Sequence, residues 1–109
     1  SSMKMADEYY VYILRCKDGS LYTGIAKDVK KRYEEHTLGK GAKYTRARGV
    51  EKMELFFICN GRSSATKIEI YIKKHGRSWK EQVIKEFSLL EENIKKDLGI
   101  KIKKNIDTF

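Results

Sequence analysis

A chain of 109 residues is long enough to bury one core and too short for two. With 40% hydrophobic and 36% charged residues it reads as a soluble globular domain, and no apolar run approaches the length that crosses a bilayer. Twenty-four basic residues against 15 acidic ones leave a net charge of +9, which favours polyanionic partners.

The excess is unevenly spread. After residue 90 five lysines face four carboxylates, so +8 of the charge lies in residues 1–90. Such a surface attracts nucleic acid first and anionic membrane second, although charge alone also serves simply to keep a small protein in solution.

In chain order, "SSMKMADE" lacks the apolar centre of a signal peptide, and Ser1-Ser2 before Met3 reads as a tag remnant at a flexible N-terminus, residues 1–8. Residues 9–17 and 20–26 read as two strands of a hairpin. Asp28 is placed to cap a helix from Val29 to about His36, with Val29, Tyr33 and Thr37 along one side. "LGKGAKYTRARG", residues 38–49, reads as a glycine-punctuated basic loop. "MELFFIC", residues 53–59, is a short buried strand. Ser63 or Ser64 then caps a second helix whose Ala65, Ile68 and Ile72 face a core. Ser78 with Glu81 and Ser88 with Glu91 have the spacing of capping boxes, which predicts a third helix to about Phe87 and a fourth ending near Gly99. The tail "IKIKKNIDTF" alternates weakly, as a short strand or a frayed end. This order predicts an α+β domain, a three-stranded antiparallel sheet flanked by helices: a ββαβα core over residues 9–87 and a helical extension over 88–109. Cys16 and Cys59 are far apart and lack metal-site spacing, so they read as reduced, partly buried thiols of a cytoplasmic protein.

The hairpin "YVYILRCKDGSLYTGIA" decides where its tyrosines point. A two-residue Asp18-Gly19 turn would pair Lys17 with Ser20 and send Tyr12 and Tyr22 to opposite faces. A three-residue loop, Lys17-Asp18-Gly19, pairs Cys16 with Ser20, puts Tyr12 opposite Gly24 and Tyr22 opposite Leu14, and brings both phenols out on one face. We take the three-residue loop, because Gly24 then removes the side chain that would crowd Tyr12. Arg32 and His36, one turn apart, share a face of the next helix.

These intervals resemble a known family. "YVY" at 10–12, "YTG" at 22–24, Arg32 ten residues past Tyr22 and His36 four further on are similar to the GIY-YIG nuclease domain, and Glu69 in "SATKIEIYIKK" matches that family's metal-binding glutamate. The resemblance covers about Tyr9 to Arg77, and "GKGAKYTR" resembles the small stand-alone bacterial members and related structure-specific endonuclease subunits. Tyr10 stands where the family name has glycine, Thr23 where it has isoleucine, and Ala26 where a small polar residue is frequent. No match to the family's C-terminal asparagine is present.

The resemblance implies a divalent-metal-dependent DNA endonuclease of DNA repair or processing. Glu69 would hold Mg²⁺, with Mn²⁺ as a substitute, since such cations take one or two carboxylates and keep several waters. Arg32, whose planar fork fits two phosphate oxygens, would stabilise the anionic transition state. In the family one hairpin tyrosine activates water while the other positions it or the phosphate; Tyr12, facing the glycine gap, is assigned the base and Tyr22 the partner. His36 would orient a phenol or pass a proton. Taken without the family, Glu69 is a solvated residue paired with Lys73, Arg32 an exposed helix arginine, the tyrosines sheet aromatics, His36 a helix-end charge and His75 surface.

Lys40, Lys43, Arg46 and Arg48 interleave with Tyr44, cations for phosphates and a ring to stack on an unpaired base. The order of residues does not form a nucleotide-binding P-loop. The expected partner is DNA, branched or single-stranded, with RNA also admitted and no membrane. A basic binding module without catalysis, and a subunit docking a protein or a second copy through the helices after Ser78 (Val83, Ile84, Phe87), are the competing readings.

Overall fold

The computed structural model describes residues 8–104. The expectations for residues 1–7 and for 105–109 lie outside the described residues. Strand β1 spans Glu8–Cys16 and β2 Leu21–Ala26, followed by helix α1 over Val29–Thr37 and a short α2 over Lys43–Arg48. Then come β3 (Val50–Asn60), α3 (Arg62–Lys74), α4 (Arg77–Lys85), α5 (Phe87–Leu98) and β4 (Lys103–Lys104). The sheet is antiparallel in the order β2-β1-β3-β4.

The architecture is α+β with helices flanking an antiparallel sheet, but the sheet has four strands rather than three. The fourth is two lysines of the tail, pairing with Phe57 and Ile58. The hairpin takes the three-residue loop: Tyr12 pairs with Gly24 and Leu14 with Tyr22. Gly19 closes it at φ 88°, a left-handed position that suits glycine, and the Cys16 amide donates to the Ser20 carbonyl at 2.8 Å.

Alternation along β1 splits the core across the sheet. Val11 and Ile13 face Phe57, Ile68, Ile72, Val83, Leu90 and Ile94, all fully buried. Tyr12 and Leu14 face Val29 on the other side. Ala65, Ile68 and Ile72 are the inward stripe of α3, as their spacing predicts. Val83 is buried, and Ile84 and Phe87 pack against the same core, so the apolar face offered for a protein partner is turned inward. Among the described residues the exposed large apolar side chains are Leu38 and Ile70.

Helix starts depart from expectation in an instructive way. Asp28 does cap α1, accepting from the Lys31 amide at 3.1 Å. At α3, α4 and α5 the cap positions are Gly61, Gly76 and Glu86, none with a side-chain cap. The Ser78–Glu81 and Ser88–Glu91 boxes do not form because α4 and α5 begin at Arg77 and Phe87, which puts both serines inside the first turn. Glu81 instead meets Arg15, whose guanidinium grips both its oxygens at 2.7 Å and Glu54 at 2.7 Å. Gly99 ends α5 in the left-handed region at φ 68°, as its position predicts. Cys16 and Cys59 are free and buried. No helix among the described residues is long and apolar enough to cross a membrane.

Candidate active site

The pairing of Tyr12 with Gly24 sets the site. A Cβ on Gly24 would overlap the Tyr12 phenol oxygen and ring carbon, so only glycine leaves this phenol its place. The Tyr12 and Tyr22 rings lie 6.3 Å apart on one face. Helix α1 lays His36 against them, its ring 5.7 Å from that of Tyr12 and 5.3 Å from that of Tyr22.

His36 is 1% exposed and uses both ring nitrogens: Nε2 meets the Tyr12 hydroxyl at 2.9 Å and Nδ1 meets Thr45 Oγ1 at 2.7 Å. Thr45, fully buried on α2, also contacts the Ala42 carbonyl at 3.0 Å. Gly41 allows this closeness, since a Cβ there would collide with the imidazole. Burial, aided by the Arg32 charge, pushes His36 down to about 4, so the ring is neutral near pH 7. Burial, then the neighbouring Tyr22, raises Tyr12 to about 12, with Arg32 acting in opposition and Glu69 adding a smaller upward push.

Arg32 is half-buried beside Tyr12 and tethered to Glu35 at 2.9 Å, which holds its guanidinium firmly charged. Glu69 lies on α3, which packs across β1 and β2, and its charge reaches Tyr12. Its carboxylate also pairs with Lys73 at 3.3 Å, and that ammonium stands 5.9 Å from the Tyr22 ring centre. Tyr12, Tyr22, Arg32 and His36 are thus gathered on one face of the hairpin, while Glu69 comes from α3, which packs its apolar stripe on the opposite face, and reaches them electrostatically and through Lys73 beside the Tyr22 ring.

The residues suit a hard divalent cation held through a single carboxylate. The Glu69 side chain is 20% exposed, leaving it open to ions, whereas both nitrogens of His36 are already engaged. Among the described residues no group of three or more His, Cys, Asp or Glu forms a metal cage. A Mg²⁺-like ion, which keeps most of its waters, fits this donor set better than zinc.

The basic segment differs from the expected loop: residues 43–48 are helical. Lys40, Lys43 and Arg46 are exposed, while Arg48 pairs with Asp18 at 3.1 Å and lies 3.9 Å over the Tyr44 ring. Tyr44 in turn leans on Tyr22, the rings 5.8 Å apart. One face of Tyr44 is therefore already covered by a cation, which weakens its expected role as a stacking platform. The Glu69–Lys73 pair is the one the sequence spacing offers, but sequence reasoning missed Thr45 and Gly41, and also Arg77 and Lys80, which line a cavity of about 200 Å³ with Ser20, Leu21 and Tyr44. A larger cavity of about 320 Å³, lined by Glu8, Ile58, Asn60 and Ile102 among others, shares no residue with the site. His75 is not free surface either: its ring stacks on Trp79 at 3.8 Å and Nδ1 meets the Tyr71 carbonyl at 2.8 Å.

This arrangement of paired phenols, arginine, histidine and a lone helix carboxylate on an antiparallel hairpin defines a class. The model of the GIY-YIG catalytic domain matches residues 8–82, and the chain belongs to that family, whose activity is endonucleolytic. Among its relatives, a UPF0213 protein of Fusobacterium nucleatum is 50% identical over 96 residues, covering 88% of this chain and 96% of the relative. A UPF0213 protein of Clostridium perfringens is 46% identical, over 84% of this chain and 98% of its own. A solution NMR structure of a protein from E. faecalis is 42% identical with a TM-score of 0.53, covering 80% of this chain and 93% of that one.

Proposed function

We propose that this protein is a divalent-metal-dependent DNA endonuclease, using Mg²⁺ or Mn²⁺ held at Glu69, that acts on branched or single-stranded DNA in repair or processing. The observation that carries this reading is the hydrogen bond between the Tyr12 phenol and the neutral His36 imidazole, set beside Arg32 and within the field of Glu69. Family membership supports nuclease activity, divalent metal use and DNA as substrate. Free buried thiols support a cytoplasmic setting.

With its pKa near 12, Tyr12 is a neutral phenol at rest. It accepts a proton from the attacking water as its own proton passes to His36 Nε2. The resulting imidazolium is disfavoured by burial and by Arg32, and is tolerable only while the negative charge of the reacting phosphate lies alongside. Tyr12 is 1% exposed, so the half-buried side chains of Tyr22 and Arg32 must yield as the backbone enters. Arg32 then holds two phosphate oxygens and Tyr22 positions the water or the phosphate. Glu69 would hold the divalent ion, which when bound would supply charge neutralisation for the phosphate and the departing alkoxide. Lys40, Lys43 and Arg46 track the flanking backbone, with Arg48 and Tyr44 forming the wall of the track.

The alternative is a binding module without catalysis, favoured by the Lys73 ammonium sitting on Glu69 where a metal would compete. Incubation with branched, single-stranded and duplex DNA, in Mg²⁺ and in chelator, separates the two. Metal-dependent nicking that Glu69→Ala abolishes while binding persists is the expected outcome. Binding without nicking in every metal leaves the module, and absence of binding at low salt removes both.

A further inference from the structure

We infer that Thr45 is a positioning residue of the active site, its hydroxyl fixing His36 as the Nδ1–H tautomer so that the Nε2 lone pair faces the Tyr12 phenol. This rests on the nuclease reading for its purpose, though not for its geometry.

Three contacts run in series: Tyr12 hydroxyl to His36 Nε2 at 2.9 Å, His36 Nδ1 to Thr45 Oγ1 at 2.7 Å, and Thr45 Oγ1 to the Ala42 carbonyl at 3.0 Å. A carbonyl only accepts, and threonine has one hydroxyl hydrogen, so the last contact carries a hydrogen only if Thr45 donates to Ala42. Thr45 must then accept at Oγ1, which makes His36 Nδ1 the protonated nitrogen. Nε2 is left with its lone pair, and Tyr12 donates into it. Reversing the direction leaves the Thr45–Ala42 contact without a hydrogen. One polarity satisfies all three contacts.

The imidazole and threonine are at most 1% exposed, so water cannot substitute for either partner cheaply. Gly41 presses the segment before α2 onto the ring. If the hydroxyl is lost, the buried Nδ1–H has no acceptor. The proton then moves to Nε2, where it would donate to Tyr12 and block transfer of the phenol's own proton. Around the ring stand Tyr12, Tyr22, Arg32 and Glu35, with Glu69 beyond Tyr12; none of them can accept from Nδ1, because Thr45 occupies that side.

The test is imidazole nitrogen NMR on the ¹⁵N-labelled chain at neutral pH, simple because the chain has only two histidines. Wild type should show His36 with Nδ1 protonated and Nε2 bare. Thr45→Val should shift the signal to Nε2–H or to a mixture, and lower kcat roughly ten- to a hundredfold at unchanged KM, the range typical of losing a partner that orients a functional histidine. Thr45→Ser, which keeps the hydroxyl, should restore both and also serves if the valine variant fails to fold. An unchanged tautomer in Thr45→Val, or a wild-type ring carrying its proton on Nε2, overturns the inference. Absence of cleavage by wild type would count against the nuclease reading alone, because the tautomer is read without turnover.

Discussion

Gly24 stands directly across the β1–β2 ladder from Tyr12, and the phenol fills the space where any other residue would carry its Cβ. Gly24→Ala should therefore displace the Tyr12 ring and break its bond to His36. Overpacking of this kind costs about 1–3 kcal/mol, readable as a lower urea midpoint at unchanged slope. Cleavage should fall well beyond what the stability loss explains. An alanine variant with full activity would show that the phenol does not need that space.

Arg32 should be irreplaceable by charge alone. Removing one preorganised group that stabilises developing negative charge typically costs roughly a hundred- to a thousandfold in kcat, so Arg32→Ala should fall in that range. Arg32→Lys should recover little, since an ammonium cannot fork onto two phosphate oxygens. Single-turnover kinetics at saturating DNA measures both.

Arg15 ties β1, β3 and α4 together through Glu54 and Glu81, with its own side chain 16% exposed. The Arg15 guanidinium holds the Glu81 carboxyl down at about 2, against an ordinary value of 4.5. A group depressed on folding stabilises the native state above its unfolded pKa and loses that contribution as pH falls through the folded one. Stability should therefore decline between about pH 4.5 and 2 on this account, and Glu81→Gln should flatten that part of the curve in a pH series of thermal melts. Arg15→Met leaves Glu81 with Arg77 at 3.4 Å and Glu54 with Lys52 at 3.9 Å, and the lost charge-assisted bonds should destabilise by about 2 kcal/mol even at neutral pH.

Each phosphate contact removed from a duplex reduces the slope of log K against log salt by about 0.9, and by about 0.7 on a single strand. Lys43→Gln combined with Arg46→Gln should thus flatten the slope by roughly 1.8 on duplex or 1.4 on single-stranded DNA. A titration of binding against salt, done on both substrates, checks the role of α2 and shows which form it grips. An unchanged slope would remove α2 from the interface.

Burial pushes the Cys59 thiol up to about 11 and the Cys16 thiol upward as well. Neither should react with a thiol reagent in the native protein at pH 8, and both should react on unfolding. Rapid native labelling of either would show that the sheet opens locally.

Much of this was legible in the sequence because it depended on local geometry. A three-residue loop fixes hairpin register by itself, so the placing of Tyr12, Gly24 and Tyr22 on one face followed from counting. Asp28 capped α1 because nothing nearby competed for its carboxylate. The capping boxes failed because α4 and α5 begin one residue before Ser78 and Ser88, and Glu81 is bound instead by Arg15, 66 positions away, a partner that no local pattern reports. The helical state of residues 43–48 and the pairing of Lys103 and Lys104 arise from where those segments dock, against weak signals of six and two residues. Thr45 was invisible for that reason. Its distance from His36 depends on how α2 folds back over α1, and the only hint was Gly41, a glycine that needs no unusual backbone angle and is there for want of room.

Helix α2 has a consequence of its own. Its outward side presents Lys43 and Arg46 to solvent, and its inward side holds Thr45 against the imidazole. Six residues make one rigid lever under two turns long, so anchoring at one end cannot be adjusted without moving the other. If DNA seats on these two cations as proposed, a strand that fits them badly would also tilt the threonine and slow the chemistry before any bond to phosphorus is touched. On that reading, discrimination between well-fitting and ill-fitting substrates would lie in the timing of the reaction.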